Sequence, residues 1–201
     1  MSETRTPTQK RSIEKRNKII QKGFELMCNK GYHKTNTSEI AEYAGVSTGI
    51  IYQYFNDKKE IFIEGIKNYS DNIMFPMLEI INNNNIEINN LEIILDKLID
   101  KFISIHTISK EAHEEMMAMS HLDDDVAHIF HEREVTMSNK IVEILKYNNF
   151  NTDNLNEKVH IIVGIVENLC HEIVYHKHNT INYDIMKKEV INIITSTLKK
   201  D

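Results

Sequence analysis

Residues 36–55 read NTSEIAEYAGVSTGIIYQYF, and their pattern predicts two short helices separated by a tight turn. Asn36 or Thr37 is a suitable N-cap for the first helix, because a short polar side chain can accept a hydrogen bond from the first-turn amides. Gly45 ends that helix, since glycine adopts a left-handed backbone at little cost. Helices joined in this way are typical of a helix-turn-helix unit.

A further helix is predicted before this pair, from Ile13 to Lys30, where apolar residues recur near helical spacing. In a helix-turn-helix unit of this kind the second helix crosses the phosphate backbone of DNA and the third enters the major groove. In the third helix Ile51 and Phe55 are predicted to face inward. The residues predicted to face outward are Thr48, Gly49, Tyr52, Gln53 and Tyr54. Hydroxyl and amide groups on that face can contact bases or phosphates, and Lys58 can pair with a phosphate.

Charge is distributed unevenly along the 201 residues, which carry a net charge of −6. Residues 1–60 contain 11 Lys and Arg against 7 Asp and Glu, whereas residues 61–201 contain 13 against 23. A basic head on an acidic body indicates a polyanionic partner at one end of the molecule. A solvated basic tail is the alternative, and charge alone does not separate the two.

The remainder of the sequence predicts helices only. Apolar residues recur at steps of three and four, as between Leu91 and Phe102, and asparagine-rich segments such as residues 82–85 mark the breaks. Pro76 removes a backbone donor and should kink or end the fourth helix near Phe75. Turn-bounded alternating strands do not occur, so we predict an all-α fold.

The sequence also disfavours several functional classes. The N-terminus has no apolar stretch that would indicate a secretory signal, and no apolar run is long enough to span a bilayer. Cys28 and Cys170 give no disulfide framework, so a cytoplasmic location is expected. No nucleophile elbow, phosphate-binding loop, dinucleotide-binding glycine pattern or metalloprotease signature occurs, so we expect neither enzymatic activity nor a cofactor. The basic head argues equally against a purely architectural helical protein.

Residues 13–64 resemble the DNA-binding domain of the TetR (tetracycline repressor) family of bacterial transcription regulators. The third helix, which closes on Tyr-x-Tyr-Phe and is followed by a lysine, is the most specific part of the resemblance. The strongest matches are Gly31, Tyr32, Thr37, Ile40, Ala41, Ala44, Gly45, Val46, Ser47, Gly49, Tyr52, Tyr54, Phe55 and Lys58.

This resemblance implies a chain of three parts: a disordered basic arm at residues 1–12, a three-helix DNA-binding domain at residues 13–57, and a helical ligand-binding and dimerisation domain at residues 58–201. It implies a homodimeric repressor that a small molecule releases from double-stranded operator DNA. Because such a dimer has two-fold symmetry, the operator should be a near-palindrome with half-sites about 34–36 Å apart, or a multiple of that.

The resemblance also assigns the DNA contacts by position. Thr37 and Ser38 would touch phosphates at the start of the second helix, and Tyr52 and Lys58 would hold the backbone. The residues presented to bases or nearby phosphates would be Ser47, Thr48, Gly49, Gln53 and Tyr54. Unless the arm is simply a floppy tail, further contacts are expected from Lys10, Arg11, Lys15 and Arg16.

One departure from the family pattern lies in the first helix, where Lys22, Gly23 and Phe24 replace two alanines and a leucine. A glycine in the middle of a helix is expected to cost about 0.8–1 kcal/mol relative to alanine. Met27 stands where phenylalanine is usual, which is a tolerable exchange. None of these residues belongs to the predicted DNA-reading surface.

The helical body is predicted to hold both the ligand pocket and the dimer interface. Methionine and aromatic side chains suit an apolar or aromatic-bearing inducer, and the predicted pocket consists of Phe102, Met116, Met119, His121, Phe130, Met137 and His171. The last two helices have broad apolar faces, from which we predict an interface of Val159, Ile162, Val166, Cys170, Ile173, Ile185, Ile191 and Ile194. For both sets an ordinary intramolecular core is the alternative.

Nine of the ten histidines follow residue 100, which leaves a metal or haem effector as the alternative function. His128 and His131 are three residues apart, and Glu167 and His171 are four apart, so each pair can share one helix face. Against this hypothesis, the HExxH motif does not occur and Cys170 has no cysteine nearby. A single histidine that hydrogen-bonds the ligand is the preferred interpretation, and no metal site is predicted.

Overall fold

The structure is a computed structural model that describes residues 9–82, 86–108, 110–150 and 153–199. It consists of helices, with no strand among those residues, and the predicted all-α fold is confirmed. The helices are α1 (Lys10–Lys30), α2 (Thr37–Ala44), α3 (Thr48–Tyr54), α4 (Lys58–Asn82), α5 (Leu91–Ile108), α6 (Lys110–Leu122), α7 (Asp124–Tyr147), α8 (Leu155–Tyr175) and α9 (Tyr183–Leu198).

The first helix begins earlier than the sequence predicted. Lys10 is its first residue, so residues 10–12, which were assigned to the disordered arm, are helical. Residues 1–8, the rest of that arm, lie outside the described residues. The basic side chains at positions 10 and 11 are therefore carried on a regular helix and not on a flexible segment.

The fourth helix continues through its proline. α4 contains Pro76 and ends at Asn82, so the helix does not end near Phe75, the second of the two effects expected of the proline, and it ends at the asparagine-rich segment as predicted. Met74 and Met77, on either side of the proline, are both buried. Tertiary packing of this kind supplies most of the stability of a helix in a protein, and here it outweighs the loss of one backbone hydrogen bond.

The chain divides into two compact units, one made of residues 1–71 and 111–131 and the other of residues 72–110 and 132–201. The first unit unites α1, α2 and α3 with the first part of α4 and nearly all of α6. It is larger than the predicted DNA-binding domain, which ended at residue 57. α4 and α7 each contribute residues to both units.

The core of the first unit forms around α1, and two methionines of α6 belong to it. Its fully buried side chains include Ile19, Ile20, Met27, Ile40, Ile51, Phe55, Ile61, Phe62, Ile66, Met116 and Met119. The sequence assigned Met116 and Met119 to the ligand pocket, whereas the structure places both in this core and neither in the lining of the cavity described below. They are three residues apart on one face of α6, and that face packs in this core.

Gly23 permits the close packing of α1 in this core. A β-carbon at position 23 would lie 2.7 Å from Cγ2 of Ile61 and 3.0 Å from Cγ2 of Ile40. Both isoleucines are completely buried and β-branched, so neither methyl group can move aside easily. The expectation that alanine would be the better residue here considered the helix alone, and the packing reverses it.

The second unit has its own core, in which α5, α8 and α9 pack together and α7 contributes Val142 and Leu145. Four residues that the sequence assigned to the dimer interface belong to this core, and all are buried: Val159, Cys170, Ile191 and Ile194. That assignment is corrected, because these side chains stabilise the interior of the chain itself. Burial in the same chain makes them inaccessible to a second copy.

Candidate nucleic-acid interface and effector cavity

Local hydrogen bonds fix the turn between α2 and α3. Asn36 is the N-cap of α2: its Oδ1 accepts from the Glu39 amide at 3.0 Å, and Glu39 Oε2 accepts from the Asn36 amide at 3.2 Å. At the other end Gly45 has φ +67° and ψ +40°, the left-handed conformation expected of it, and the Val46 amide donates to the Ala41 carbonyl at 2.9 Å. These bonds define the direction in which α3 leaves α2.

One face of α3 is open to solvent and carries most of the residues predicted to contact bases. We call this face the α3 surface; its residues are Ser47, Thr48, Gly49, Tyr52 and Gln53. Thr48 is half-buried, the others are exposed, and Tyr52 keeps 52% of its surface exposed. The Tyr52 hydroxyl lies 2.9 Å from Oγ1 of Thr37. The structure therefore brings the α3 surface next to the start of α2, where Ser38 is also exposed.

Gly49 leaves space at the middle of the α3 surface. A β-carbon built at this position would meet no atom closer than Oγ of Ser47, at 3.9 Å. The glycine is thus not required by packing inside the chain, in contrast to Gly23. Close approach of another molecule to the backbone is the remaining physical reason for a glycine on a helix.

Tyr54 does not face outward, contrary to the prediction. It is only 7% exposed and belongs to the core of the first unit, together with Ile51 and Phe55. Ile51 and Tyr54 are three residues apart and therefore share one face of α3, which is the buried face. A direct contact between the Tyr54 side chain and a base is not compatible with this position.

Lys58 is engaged within the chain. Its Nζ donates to the carbonyl oxygens of Tyr32 and Thr35, each at 2.7 Å, and lies 4.3 Å from the centre of the Tyr32 ring. Burial lowers the pKa of Lys58, with the Glu39 carboxylate acting in the opposite direction. The ammonium group therefore fixes the loop that precedes α2. A phosphate contact by Lys58, as predicted from the sequence, would involve a group that already has two hydrogen-bond partners.

The basic residues of α1 have different surroundings. Arg16 donates to Glu64 at 3.1 Å and lies over the Phe55 ring, with 5.0 Å from Cζ to the ring centre, so it is bound inside the first unit. Lys18, by contrast, is exposed, and its Nζ lies 3.6 Å from where a β-carbon of Gly45 would be. Sequence reasoning missed Lys18, because only the fold places it beside the α2–α3 turn.

Three polar contacts attach α6 and the residues after it to the loop before α2 and to the start of α4. The Tyr32 amide donates to Oε1 of Glu115 at 2.6 Å. Lys59 at the start of α4 pairs with Asp123 at 2.8 Å and with Asp125 at 2.5 Å. The hydrogen bond from Lys59 is the main cause of the lowered pKa of Asp123. These contacts lie on the same loop and helix start as the Lys58 bonds.

The second unit contains a cavity of about 130 Å³ lined by helices α4, α5, α7, α8 and α9. Its lining residues are Met77, Ile81, Ile86, Leu91, Ile94, Leu95, Leu98, Ile99, Phe102, Met137, Ile141, Ile144, Leu145, Ile162, Val163, Val166, Glu167, Ile194 and Leu198. Phe102 and Met137 had been predicted as pocket residues. The rest of the wall is aliphatic apart from one carboxylate, that of Glu167.

Glu167 lies at the edge of this cavity. It lines the cavity and is also exposed to solvent, so it marks the side on which the cavity opens. Burial of the carboxyl group and the nearby Glu134 raise the pKa of Glu167, while His160 acts in the opposite direction. His160 Nδ1 is 3.3 Å from Oε1 of Glu134. Glu167 therefore has a second carboxylate and a histidine as charged or titratable neighbours.

The other predicted pocket residues lie elsewhere. His121 is exposed near the end of α6, and Phe130 packs against the core of the first unit. His171 is absent from the cavity lining, and its ring stacks on Tyr175 and His176, with centres 4.8 and 5.2 Å apart. None of these three residues lines the described cavity, because the prediction ranked residue types and did not include which helix faces converge.

The outer faces of α8 and α9 expose large apolar side chains. Of the predicted interface residues, Ile185 is 57% exposed, whereas Ile162, Val166 and Ile173 are half-buried. Ile161 on α8 and Ile193 on α9 are also exposed, at 58% and 49%. Sequence reasoning missed these two, although apolar residues that fall off the core-facing stripe of a helix are a signal for such a face.

Within the described residues, no three His, Cys, Asp or Glu side chains converge in a way that could hold a metal ion. His128 and His131, the pair considered for zinc, are both exposed. The helices of the described ranges contain none long and apolar enough to cross a membrane.

The first unit thus has the geometry of a helix-turn-helix DNA-binding domain. Residues 19–64 match the family model described as bacterial regulatory proteins, tetR family. The resemblance seen in the sequence is confirmed for this part of the chain: residues 19–64 form a DNA-binding domain of the tetR-family type.

Relatives and solved structures agree with this result. The HTH-type transcriptional regulator HbdR of Aromatoleum sp. (strain CIB) is 45% identical over 58 residues, which are 29% of this chain and only 25% of that protein. The HTH-type transcriptional regulator YvdT of Bacillus subtilis (strain 168) is 24% identical, covering 94% of this chain and 97% of its own length. A crystal structure of a TetR-family protein from Mesorhizobium loti MAFF303099 has a TM-score of 0.74 at 17% identity, and the match covers 94% and 98% of the two chains.

Proposed function

We propose that the protein is a ligand-responsive transcriptional regulator that binds a specific operator as a homodimer, acts in the cytoplasm as a repressor, and is released by a small molecule with an apolar or aromatic part. The α3 surface carries this proposal. It presents hydroxyl and amide side chains to solvent from a helix whose other face is closed into a core, on a turn fixed by Gly45. Such side chains on a rigid helix are what base recognition in the major groove requires.

The contacts to DNA divide into two kinds. Thr37, Ser38 and Tyr52 would bind phosphates, since they lie around the start of α2, where backbone amides also favour an anion. Lys18 would add a phosphate contact beside the turn. Bases would be read by Ser47, Thr48 and Gln53, with Gly49 allowing the backbone to approach, whereas Tyr54 is withdrawn from this role. Lys58 would contribute to DNA binding indirectly, because its hydrogen bonds position the loop that precedes α2.

Two copies of the chain would associate through the outer faces of α8 and α9. Ile161, Ile185 and Ile193 supply exposed apolar surface there, which a second copy of the chain would bury. A two-fold dimer presents two α3 surfaces, so a near-palindromic operator follows from the symmetry.

The cavity of the second unit would receive the effector. It is enclosed by five helices and is almost entirely apolar, which are common properties of small-molecule sites. Binding changes DNA affinity only if the effector has different affinities for the DNA-bound and released conformations. α4 and α7 contribute residues to both units and are the elements through which this difference would be transmitted.

The test is fluorescence-anisotropy binding to the DNA upstream of the protein's own gene, over a salt series and with unrelated DNA as control. We expect selective binding that weakens steeply with salt, because each neutralised phosphate releases counterions. Equally weak binding to both DNAs would place the operator elsewhere. No binding at low salt by a folded dimer would contradict the proposal.

A reporter gene placed under the identified operator then tests the sign of regulation. Lower expression in the presence of the protein is expected of a repressor, and higher expression would show an activator.

A further inference from the structure

We propose that the effector is a small amphiphilic cation, whose apolar part fills the cavity of the second unit and whose ammonium group pairs with Glu167. The inference rests on the proposed role of that cavity as the effector site. It goes further by naming the charge and the size of the ligand.

The size follows from the cavity volume. About 130 Å³ is close to the roughly 150 Å³ of an apolar protein cavity known to stay dry and to bind benzene. Phe102 and the aliphatic side chains around it offer no hydrogen-bonding group to a ligand. The part of the ligand that enters should therefore be a single ring or a compact branched hydrocarbon.

The charge follows from the position of Glu167. Ile162, Val163 and Val166 line the cavity from α8, and Glu167 continues the same helical stripe, where the pattern would favour another apolar residue. Glu167 makes no hydrogen bond or ion pair with any residue in the described part of the chain. The apolar wall and the nearby Glu134 both disfavour the charged form of this carboxyl group, and a cation bound in the cavity would oppose both effects.

The surroundings of Glu167 also favour a cation over an anion. Glu134 lies close enough to raise the pKa of Glu167, and the His160 ring beside it is the one group there that opposes the two carboxylates. A ligand with its own carboxylate would be repelled by both glutamates, since like charges brought together at a binding site are strongly unfavourable.

The experiment is calorimetric titration of the full-length protein with three probes of similar shape: benzyltrimethylammonium, its uncharged carbon isostere neopentylbenzene, and 3-phenylpropionate. We expect the cation to bind at least about tenfold more tightly than the isostere, as charge-assisted pairing predicts, and the anion to bind most weakly. Glu167→Gln should remove that preference, with about a 10- to 100-fold loss for the cation and little change for the isostere.

Glu143→Gln is the matched control. Glu143 is exposed on α7 and does not line the cavity, so the same loss of charge there should leave all three affinities unchanged. Thermal unfolding of each variant establishes that it is folded. Equal affinities for cation and isostere, a preference for the anion, or an unchanged preference in Glu167→Gln would each overturn the inference.

The same probes are added to the protein–operator complex, so that the two proposals fail separately. Release of DNA by the anion or the isostere, but not by the cation, would contradict the cationic effector. The proposal that the protein is a transcriptional regulator would not be affected. Tight binding of the cation by a protein that binds no DNA would contradict the proposed function and leave the cation site standing.

Discussion

Gly49 separates the contribution of α3 to folding from its contribution to DNA binding. A β-carbon there meets no atom of the chain within 3.9 Å, so Gly49→Ala should leave the melting temperature unchanged or slightly higher. The added methyl group would lie between the α3 surface and the groove floor, and we expect operator affinity to fall by about tenfold or more, roughly 1.4 kcal/mol. Thermal unfolding and anisotropy on one preparation measure both. Unaltered operator affinity would mean that α3 does not approach DNA at this position.

Lys58 is expected to contribute mainly to stability. Lys58→Met would remove the donor to the Thr35 carbonyl oxygen and would leave the Tyr32 carbonyl oxygen with the Thr35 amide, at 3.3 Å. A buried acceptor that loses its partner costs about 1–3 kcal/mol. We therefore expect a lower free energy of unfolding in urea titrations, together with weaker operator binding because the loop before α2 loosens.

Lys34→Met is the control for this prediction. Lys34 is exposed on the same loop and its ammonium group has no such bonds among the described contacts, so its loss should leave the free energy of unfolding unchanged. If Lys58→Met kept its stability and lost only DNA affinity, the phosphate contact predicted from the sequence would be the better account of Lys58.

At the scale of elements, the approach of α1 to its neighbours depends on one missing side chain. Gly23→Ala would place a methyl group 2.7 Å from Ile61 and 3.0 Å from Ile40, so we expect a loss of about 1–3 kcal/mol in unfolding free energy despite the helix propensity of alanine. Gly49→Ala, the same exchange at an open helical position, is the control in the same denaturant titration. Equal stability of the two variants would show that α1 can move away without cost.

What the sequence predicted correctly about these elements rests on local rules. The cap of α2, the left-handed Gly45 and the helical periodicity each depend on a few neighbouring residues. Tyr54 was misplaced although it obeys the same periodicity, because a phenol can face either core or solvent and only its spacing from Ile51 settles the matter. The partners of Met116 could not be predicted, since they come from α1 and α4, far away in the chain.

The helices of the second unit show that the sequence also does not separate core residues from surface residues. Val159 and Ile161 differ by only two positions on α8, yet the first is completely buried and the second is 58% exposed. Composition marks both as apolar and does not assign them to an intramolecular or an intermolecular contact. The register of α8 against α5 and α9 decides this, and that register is a property of the folded unit.

For the whole molecule, the exposed apolar residues of α8 allow the proposed dimer to be tested. Ile161→Glu would introduce an unpaired charge into the outer face of α8, and we expect sedimentation equilibrium to show a shift from dimer to monomer. Ile93→Glu is the matched control, because Ile93 is equally exposed but lies on α5. A monomer produced by both substitutions would indicate general destabilisation, and a dimer retained in both would place the interface elsewhere.

Dimer symmetry also sets the geometry of the operator, and this supplies the most demanding test. Two rigidly joined α3 surfaces can read two half-sites only when both face the same side of the duplex, at a separation of one helical turn or a multiple of it. Insertion of about 5 base pairs between the half-sites rotates one of them by half a turn, so affinity should fall to that of a single half-site. Insertion of about 10 base pairs restores the facing but changes the distance, and any recovery of affinity measures how far the dimer can stretch. Monomeric Ile161→Glu should bind weakly and be indifferent to either insertion. Equal affinity of the parent protein for all three spacings would mean that the two heads bind independently, and release by a change in head spacing would then no longer be tenable.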